Sequence, residues 1–582
     1  MKSSGRLKSL NRDRRGAILV LTAVVMIVVL ALVALALDVS YLSLTKTQLQ
    51  GAADAAALAG AMELSGTEDP ATVRANALTA IQEVASHHHN GDKASLTVDA
   101  SDVTFGKMSW NSATSSFTTA WGDAQTPYNV VKVRAERDAG GGASPDSRLP
   151  LFFAPAIGHS KATIGAVATA SFQPRDIMVV LDFSGSMNDD SSFDGIATLG
   201  RTFVESNMQT MWNELGSPVY GNLTFTPTHA KLKGVVASGT IPHIDVTYKR
   251  TSVVVVSSLL LAQVRLQFSD GNTQNVTVSG GLLTGTYAGS GGNSGKTITK
   301  CWVKSGTNGS MSSGNYGELF DFTVANIKTA LGLNGTYPYS GGSWSDYITK
   351  VQASSGDIKD AGYRDMYGYM TWIEYLQTQQ ESAAETADLW KTSEQPVSLL
   401  KDGVDEFIDY LTLIEAEDRV GLSVYTHSNS DGAILEHGMS TNLTQVKDTT
   451  RHRQAGHYKS GTNISAGMKI ARTELVANAR PRSFRMMVLM TDGLPNEPTS
   501  DAVAKANVLT EANSAAAAKI KILTISLGAG ADTSLMQQVA DITGGVHFNV
   551  PGGSNIAAVR AQLQEVFRQI ASSRPLRLVD GD

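Results

Sequence analysis

The stretch Gly16–Leu37, GAILVLTAVVMIVVLALVALAL, carries no charged side chain. A run this long and this apolar does not suit the surface of a water-soluble domain, and it exceeds the apolar part of a typical secretory signal. As a helix rising about 1.5 Å per residue it spans about 33 Å, enough to cross a hydrocarbon layer roughly 30 Å thick. Lys2, Arg6, Lys8, Arg12, Arg14 and Arg15 stand before it against one acid, Asp13, and Asp38 follows it. This asymmetry predicts a basic cytoplasmic tail over 1–15, an uncleaved transmembrane helix over 16–37, and everything after Asp38 on the far side of the membrane.

The whole chain of 582 residues is too long for one ordinary core, so two to four domains are expected. A net charge of −6 gives no basis for nucleic-acid binding. The single cysteine, Cys301, rules out a disulfide framework within the chain and reads as a small core residue.

Past the membrane run, DVSYLSLTKTQLQGAADAAALAGAMEL is rich in helix formers, and the helix is expected to continue to about Leu64. Its closely spaced alanines let another backbone approach, either a partner helix or the helix's own domain. Residues 94–172 read as short strands, with clear alternation over Val130–Ala135. Residues 38–172 therefore form a small α+β region, a helix and then β-rich sequence. DAGGGASPDS reads as a loop, and His87, His88 and His89 as a solvated one. The basic tail, the Gly at the membrane edge, the apolar span closed by Asp38, and then Gln-Leu-Gln and AADAAALAGA resemble tight-adherence (Flp) pilus-assembly proteins of the TadE/TadG type. The resemblance covers roughly residues 10–65 and weakens toward Phe172. It implies a bacterial inner-membrane protein with most of its chain periplasmic, working with other pilus-assembly components. Type IV prepilins carry Glu five residues after their cleavage Gly. Leu21 stands there in this chain, so cleavage at Gly16 is not predicted.

From Asp176 the pattern becomes wholly apolar strands alternating with helices, which means a mostly parallel sheet covered on both faces. The predicted fold class is α/β, a doubly wound sheet over 176–190 and 396–574. A large insertion over 191–395, rich in Ser, Gly, Thr and Asn, interrupts it. Within the insertion, the Asp270-Gly271 turn between alternating strands marks a hairpin. A β-sandwich is expected over about 225–305 and a helical part over about 315–392.

The strand DIMVVLDFSGSMNDD ends by offering Asp182, Ser184 and Ser186. Residues two apart in extended chain point the same way, and Gly185 permits the turn. Asp492 closes another apolar strand in MTDG, and Thr462 opens a helix in SGTNISAG. Such sheets bind ligands where the carboxyl ends of strands gather. Hydroxyls and carboxylates without His or Cys are hard ligands that suit Mg²⁺, Mn²⁺ or Ca²⁺, not zinc. The pattern Asp182, Ser184, Ser186, Thr462 and Asp492 resembles the metal-ion-dependent adhesion site of von Willebrand factor type A domains. That resemblance implies a divalent cation, Mg²⁺ first, touched directly by Ser184, Ser186 and Thr462. It implies that Asp182 and Asp492 act largely through water, and that a carboxylate from a protein partner completes the coordination. The insertion departs from the family pattern. It begins just after Asp190, so it is expected beside the ligand face, with Asp189, Asp190 and Asp194 as a solvated acidic loop.

Other motifs point nowhere. GSGGNSGKT has the wrong glycine spacing for a phosphate loop and leads into a strand. FSGSM is not a nucleophile elbow, and no spacing ties His427, His437 or His457 to a triad. Trp302, Trp344, Trp372 and Trp390 could stack on sugars but read as core. The expected function is non-enzymatic: a membrane-anchored pilus-assembly or adhesion protein that binds a protein partner through a divalent ion. The competing expectation is a carbohydrate-binding surface protein working through the inserted β module.

Overall fold

The computed structural model describes residues 14–64, 68–138, 146–192, 195–235, 243–278, 282–305, 317–338, 341–373, 388–426, 432–456, 461–553 and 555–579. The basic tail before Arg14, Asp194, His427 and His457 lie outside the described residues. So does the whole segment 374–387, on which part of the helical expectation for the insertion falls.

One continuous helix runs Arg14–Met62. Its described residues from Ile18 to Leu37 are almost all exposed, whereas Leu49, Ala52, Ala53, Ala56, Ala57 and Ala61 are fully buried. The burial answers what the alanines pack against: the helix's own domain. Helix Pro70–Ser86 crosses it with Val73, Ala77, Ile81 and Ala85 buried. A Cβ on Gly60 would come within 2.6 Å of the Ile81 side chain, which would have to shift to admit it. Behind the helices lies an antiparallel sheet in the order Ser116–Trp121, Val103–Asn111, Val130–Arg137, Ile164–Phe172, Leu576–Val579. Its last strand comes from the far end of the chain, with Leu576 opposite Phe172 and Val579 opposite Thr169.

The second sheet starts two residues later with Arg175–Asp182, buried at every position. Its order is Ala433–Ser440, Arg419–Tyr425, Arg175–Asp182, Phe484–Thr491, Lys521–Leu527, His547–Val550. All neighbours are parallel except the edge strand Ala433–Ser440. Alternate residues of the central strand feed two cores, as a period of two requires. Ile177, Val179 and Leu181 pack with Val404, Phe407, Leu563 and Phe567 from helices Val397–Ile414 and Ile556–Ser572. Met178 and Val180 pack with Met468, Val508 and Val539 from helices Ile464–Asn478, Asp501–Ala517 and Thr533–Thr543. The sheet is doubly wound and mostly parallel.

The insertion holds two four-stranded antiparallel sheets. One is ordered Thr284–Ala288, Ser252–Ser257, His243–Tyr248, Lys231–Val235; the other Thr273–Thr277, Leu261–Phe268, Ile298–Ser305, Glu318–Asp321. The second sheet thus reaches past 305 to recruit a strand at 318. The sequence reading also passed over helix Arg201–Glu214, whose Val204, Met208 and Trp212 are buried. Helical and β parts share one core. Trp212 meets Trp372 edge-on at 5.0 Å, and Trp344, Tyr347 and Cys301 are buried in the same cluster. Burial also pushes the Cys301 thiol pKa up, as expected of an inert core residue.

The first two domains meet over a polar junction at the foot of the central strand. Arg175 and Arg574 both pair with Asp418, at 2.8 and 2.9 Å, and all three side chains are almost wholly buried. Asp176 receives Arg419 and Arg480. Arg480 in turn lies over the rings of Trp110 and Phe117 of the first sheet, and Trp110 donates its backbone N–H to Glu417.

Candidate metal centre

Burial of the central strand to its last residue delivers Asp182 to the carboxyl edge of the sheet with no exposed surface. Its Oδ1 accepts the backbone N–H of Ser184 at 2.9 Å, and its Oδ2 accepts the Thr491 hydroxyl at 3.0 Å. The chain then turns through Gly185–Ser191. Ser184 and Ser186 bring their hydroxyl oxygens to 3.0 Å, and the Ser186 hydroxyl donates to Asp492 Oδ1 at 2.8 Å. Four of the five residues singled out from the sequence therefore form one hydrogen-bonded cluster from two neighbouring strand ends. Thr462 joins it indirectly. Its N–H donates to Asn496 Oδ1 at 2.9 Å, Asn496 N–H returns to the Thr462 carbonyl at 3.2 Å, and Asn463 N–H bonds the Thr426 carbonyl at 2.9 Å. The Thr462 loop is thus pinned between the end of strand Arg419–Tyr425 and the loop that follows Asp492. Asn463 also caps helix Ile464–Asn478 through Ala466 N–H.

The site is electrostatically frustrated as it stands. Burial raises the pKa of Asp182, against the hydrogen bonds from Ser184, Thr491 and Tyr425. Burial raises Asp492 well above the usual carboxylate range, and the charge of Asp182 adds to it. The Ser186 hydroxyl opposes this, and Asp189 and Asp190 push the same way as Asp182. None of these dominant influences is a positive charge. Among the described residues no three His, Cys, Asp or Glu side chains converge as a metal-binding group. A cation here would rest on hydroxyls with two carboxylates behind them, a donor set suited to a hard divalent ion.

Three residues support the cluster in ways the sequence pattern does not show. Thr491 anchors Asp182. Tyr425, opposite Asp182 in register, is fully buried and donates its hydroxyl to the Met490 carbonyl at 2.6 Å. Asn496 ties down the Thr462 loop. Only Thr491 carried a signal, its place in Thr-Asp-Gly.

The insertion leaves and returns beside this cluster. Ser191, the last residue of the turn that holds Ser186, accepts the Gln395 backbone N–H at 2.6 Å and Asn207 Nδ2 at 2.7 Å. Glu214 holds the returning segment by accepting the Ser393 N–H and hydroxyl, both at 2.5 Å.

The doubly wound sheet with its cluster at the carboxyl edge is that of a von Willebrand factor type A domain, and residues 390–565 match the model of that domain. Asp182, Ser184 and Ser186 lie outside the matched segment, because the insertion separates the central strand from the rest. Residues 16–63 match the Flp pilus-assembly TadE/G-like family and residues 59–170 the Tad-like Flp pilus-assembly family. The three matches together support a Tad-type Flp pilus-assembly protein carrying a von Willebrand factor type A domain. The Tad match and the apolar helix support single-pass membrane anchoring.

Comparison with curated proteins returns no match. Among solved structures, similarity extends to an aerotolerance-related membrane protein from Bacteroides fragilis. It has 16% identity and covers 30% of this chain and 90% of that one, at TM-score 0.23. The pilus adhesin SpaC from Lactobacillus rhamnosus GG has 15% identity over 33% of this chain and 29% of its own, at TM-score 0.25. The vWF domain of the type V pili tip protein Mfa5 from Porphyromonas gingivalis has 13% identity over 30% and 86%, at TM-score 0.23.

Proposed function

We propose that this chain is a non-enzymatic, membrane-anchored pilus-assembly or adhesion protein. In this reading its type A domain binds a protein partner through a divalent cation, Mg²⁺ first, with Mn²⁺ or Ca²⁺ as substitutes. The N-terminal helix holds it in the inner membrane with the bulk of the chain periplasmic. The observation that carries the reading is the single cluster of Asp182, Ser184, Ser186 and Asp492, two buried carboxylates joined through hydroxyls with no cationic neighbour dominating either.

Ser184, Ser186 and Thr462 would hold the ion, with Asp182 and Asp492 behind them. When bound, the ion supplies an open coordination position that a partner's carboxylate can fill. The chain's own residues orient the site. Thr491 and the Ser184 N–H fix the two oxygens of Asp182, Ser186 aims at Asp492, and Asn496 holds the Thr462 backbone.

Titration calorimetry on the detergent-solubilised full chain tests this with the metal alone. Mg²⁺ should give saturable heat, and Asp182→Ala and Thr462→Ala should abolish it while retaining the near-ultraviolet spectrum of the folded chain. Heat unchanged by both substitutions would place the ion elsewhere and overturn the assignment.

A further inference from the structure

The turn 151–158, LFFAPAIG, displays apolar surface at a telling height. It is a built turn. Strand residues Leu149–Pro150 pair with Lys161–Ala162, Leu151 N–H bonds the Ser160 carbonyl, and Ala154–Ile157 forms a single 3-10 turn closed by left-handed Gly158. Yet Phe152 is 66% exposed, Phe153 48% and Ile157 69%. Single exposed apolar residues are ordinary, but three on one ordered turn mark a contact surface.

Asp38 fixes where that surface lies. It is the first charged residue after the apolar run of the N-terminal helix, and it is buried. Its carboxylate accepts the backbone N–H of Phe152 at 2.8 Å, Phe153 at 3.0 Å and Ala154 at 2.6 Å. One helical turn further on, the Tyr41 ring packs on Phe152 with centroids 5.0 Å apart. The turn is therefore clamped to the helix at the level where the apolar run ends.

We propose that Phe152, Phe153 and Ile157 are a second membrane contact, seated in the interfacial layer of the bilayer on the side where the helix emerges. This rests on the reading that the helix crosses a membrane. The occupant is lipid because the patch continues the helix's own exposed apolar surface at Leu35, Leu37 and Val39. Aromatic and aliphatic side chains at an interface, followed by exposed His159 and Lys161 at headgroup level, match the chemistry of that layer. The clamp also answers a cost. A carboxylate at the edge of the hydrocarbon has little water, and three N–H donors of the turn take its place. Anchor and exterior domain are thereby locked in one orientation to the membrane.

The test uses the full chain in phosphatidylcholine–phosphatidylglycerol vesicles. An environment-sensitive fluorophore is attached at Ile157→Cys, and separately at Phe153→Cys, Val29→Cys and Thr114→Cys. The unsubstituted chain reports any background from buried Cys301. Lipids brominated near the headgroup should quench the labels at 153 and 157 and shift their emission to the blue. Lipids brominated deep in the chain should quench the label at 29, and the label at 114 should lose nothing. A label at 29 that is quenched while those at 153 and 157 behave like 114 overturns the proposal and leaves the anchor standing. No quenching at 29 overturns the anchor and the proposal together.

Discussion

Substituting Asp492 by Asn separates the cost of the empty site from the gain of filling it. In the folded, metal-free domain the Asp492 carboxyl is held well above its ordinary range by burial and by the charge of Asp182. A raised carboxyl pKa means that the folded state holds a proton the unfolded state has released. Stability in chelator is then highest below about pH 4, the unfolded value, as far as this group is concerned. It declines as pH rises toward the folded value. Asn removes that penalty and keeps the shape and the contact with Ser186, so in chelator the variant should melt no lower than the parent at pH 7. Adding metal reverses the ranking. At a hundredfold excess over Kd, binding stabilises the folded state by about 2.7 kcal/mol. The type A domain comprises roughly 190 residues, and a domain of that size shifts by about 2–4 °C per kcal/mol, so the parent should gain about 5–11 °C in Mg²⁺. The variant should gain almost nothing. Differential scanning calorimetry of the full-length parent and variant, each with chelator or Mg²⁺ at pH 5 and pH 7, reads these differences. An equal Mg²⁺ increment in parent and variant would refute the role of Asp492. So would a parent whose transition ignores Mg²⁺ at millimolar concentration.

Two further perturbations probe the frame around the site. Asp418→Asn leaves Arg175 and Arg574 buried without their counter-charge, which should cost about 3–5 kcal/mol. Burial works against the Asp418 carboxylate but the two arginines prevail and depress its pKa. Its contribution is therefore present above about pH 4 and lost as pH falls through the folded value, and the variant's melting curve should lose that acid-side dependence. Ser191→Ala removes the acceptor shared by Gln395 N–H and Asn207 and should cost about 1–3 kcal/mol. Hydrogen exchange at Gln395 should rise while the N-terminal sheet is unaffected; equal exchange in both proteins would show that the insertion is held some other way.

What the sequence disclosed followed the reach of its periodicities. The central strands were readable because a strand buried on both faces is an unbroken apolar run, as in IMVVL and MMVLM. Ser184 and Ser186 were readable because alternation aims residues two apart at one point. The edge strand Ala433–Ser440 was not, since its outer side lies free of the sheet and AILEHGMS mixes polar with apolar residues. Leu576–Val579 was too short to show a period, and its partner strand lies some four hundred residues earlier. Helix Arg201–Glu214 was hidden because its buried side is built from Val204, Met208, Met211 and Trp212 amid polar neighbours. The alanines of the N-terminal helix announced a close contact, but a composition names a face and not its occupant. Tyr425 and Asn496 matter only through bonds across the fold, which no local pattern records, and Thr491 shows only through its place in Thr-Asp-Gly.

The strand Arg175–Asp182 joins the Tad-matched regions to the type A region. Its first residue sits in the buried junction with Asp418 and Arg574, and its second binds Arg480, which covers Trp110 and Phe117 of the membrane-proximal sheet. Its last residue, Asp182, organises the candidate metal cluster. Eight residues of strand are about 25 Å long, and this one is buried throughout. Only Gln173 and Pro174 separate it from the preceding strand, and both of their carbonyl or amide groups are tied, Gln173 N–H to the Pro575 carbonyl and the Pro174 carbonyl to Phe484 N–H. There is no slack joint between the domain that carries the anchor helix and the strand that ends in the site. A pull applied at the carboxyl end of this strand would therefore reach the sheet packed on the N-terminal helix through packed backbone. Under the proposed function, this rigid connection would carry load from the site to the anchor, and it arises from one buried strand shared by a junction and a candidate site.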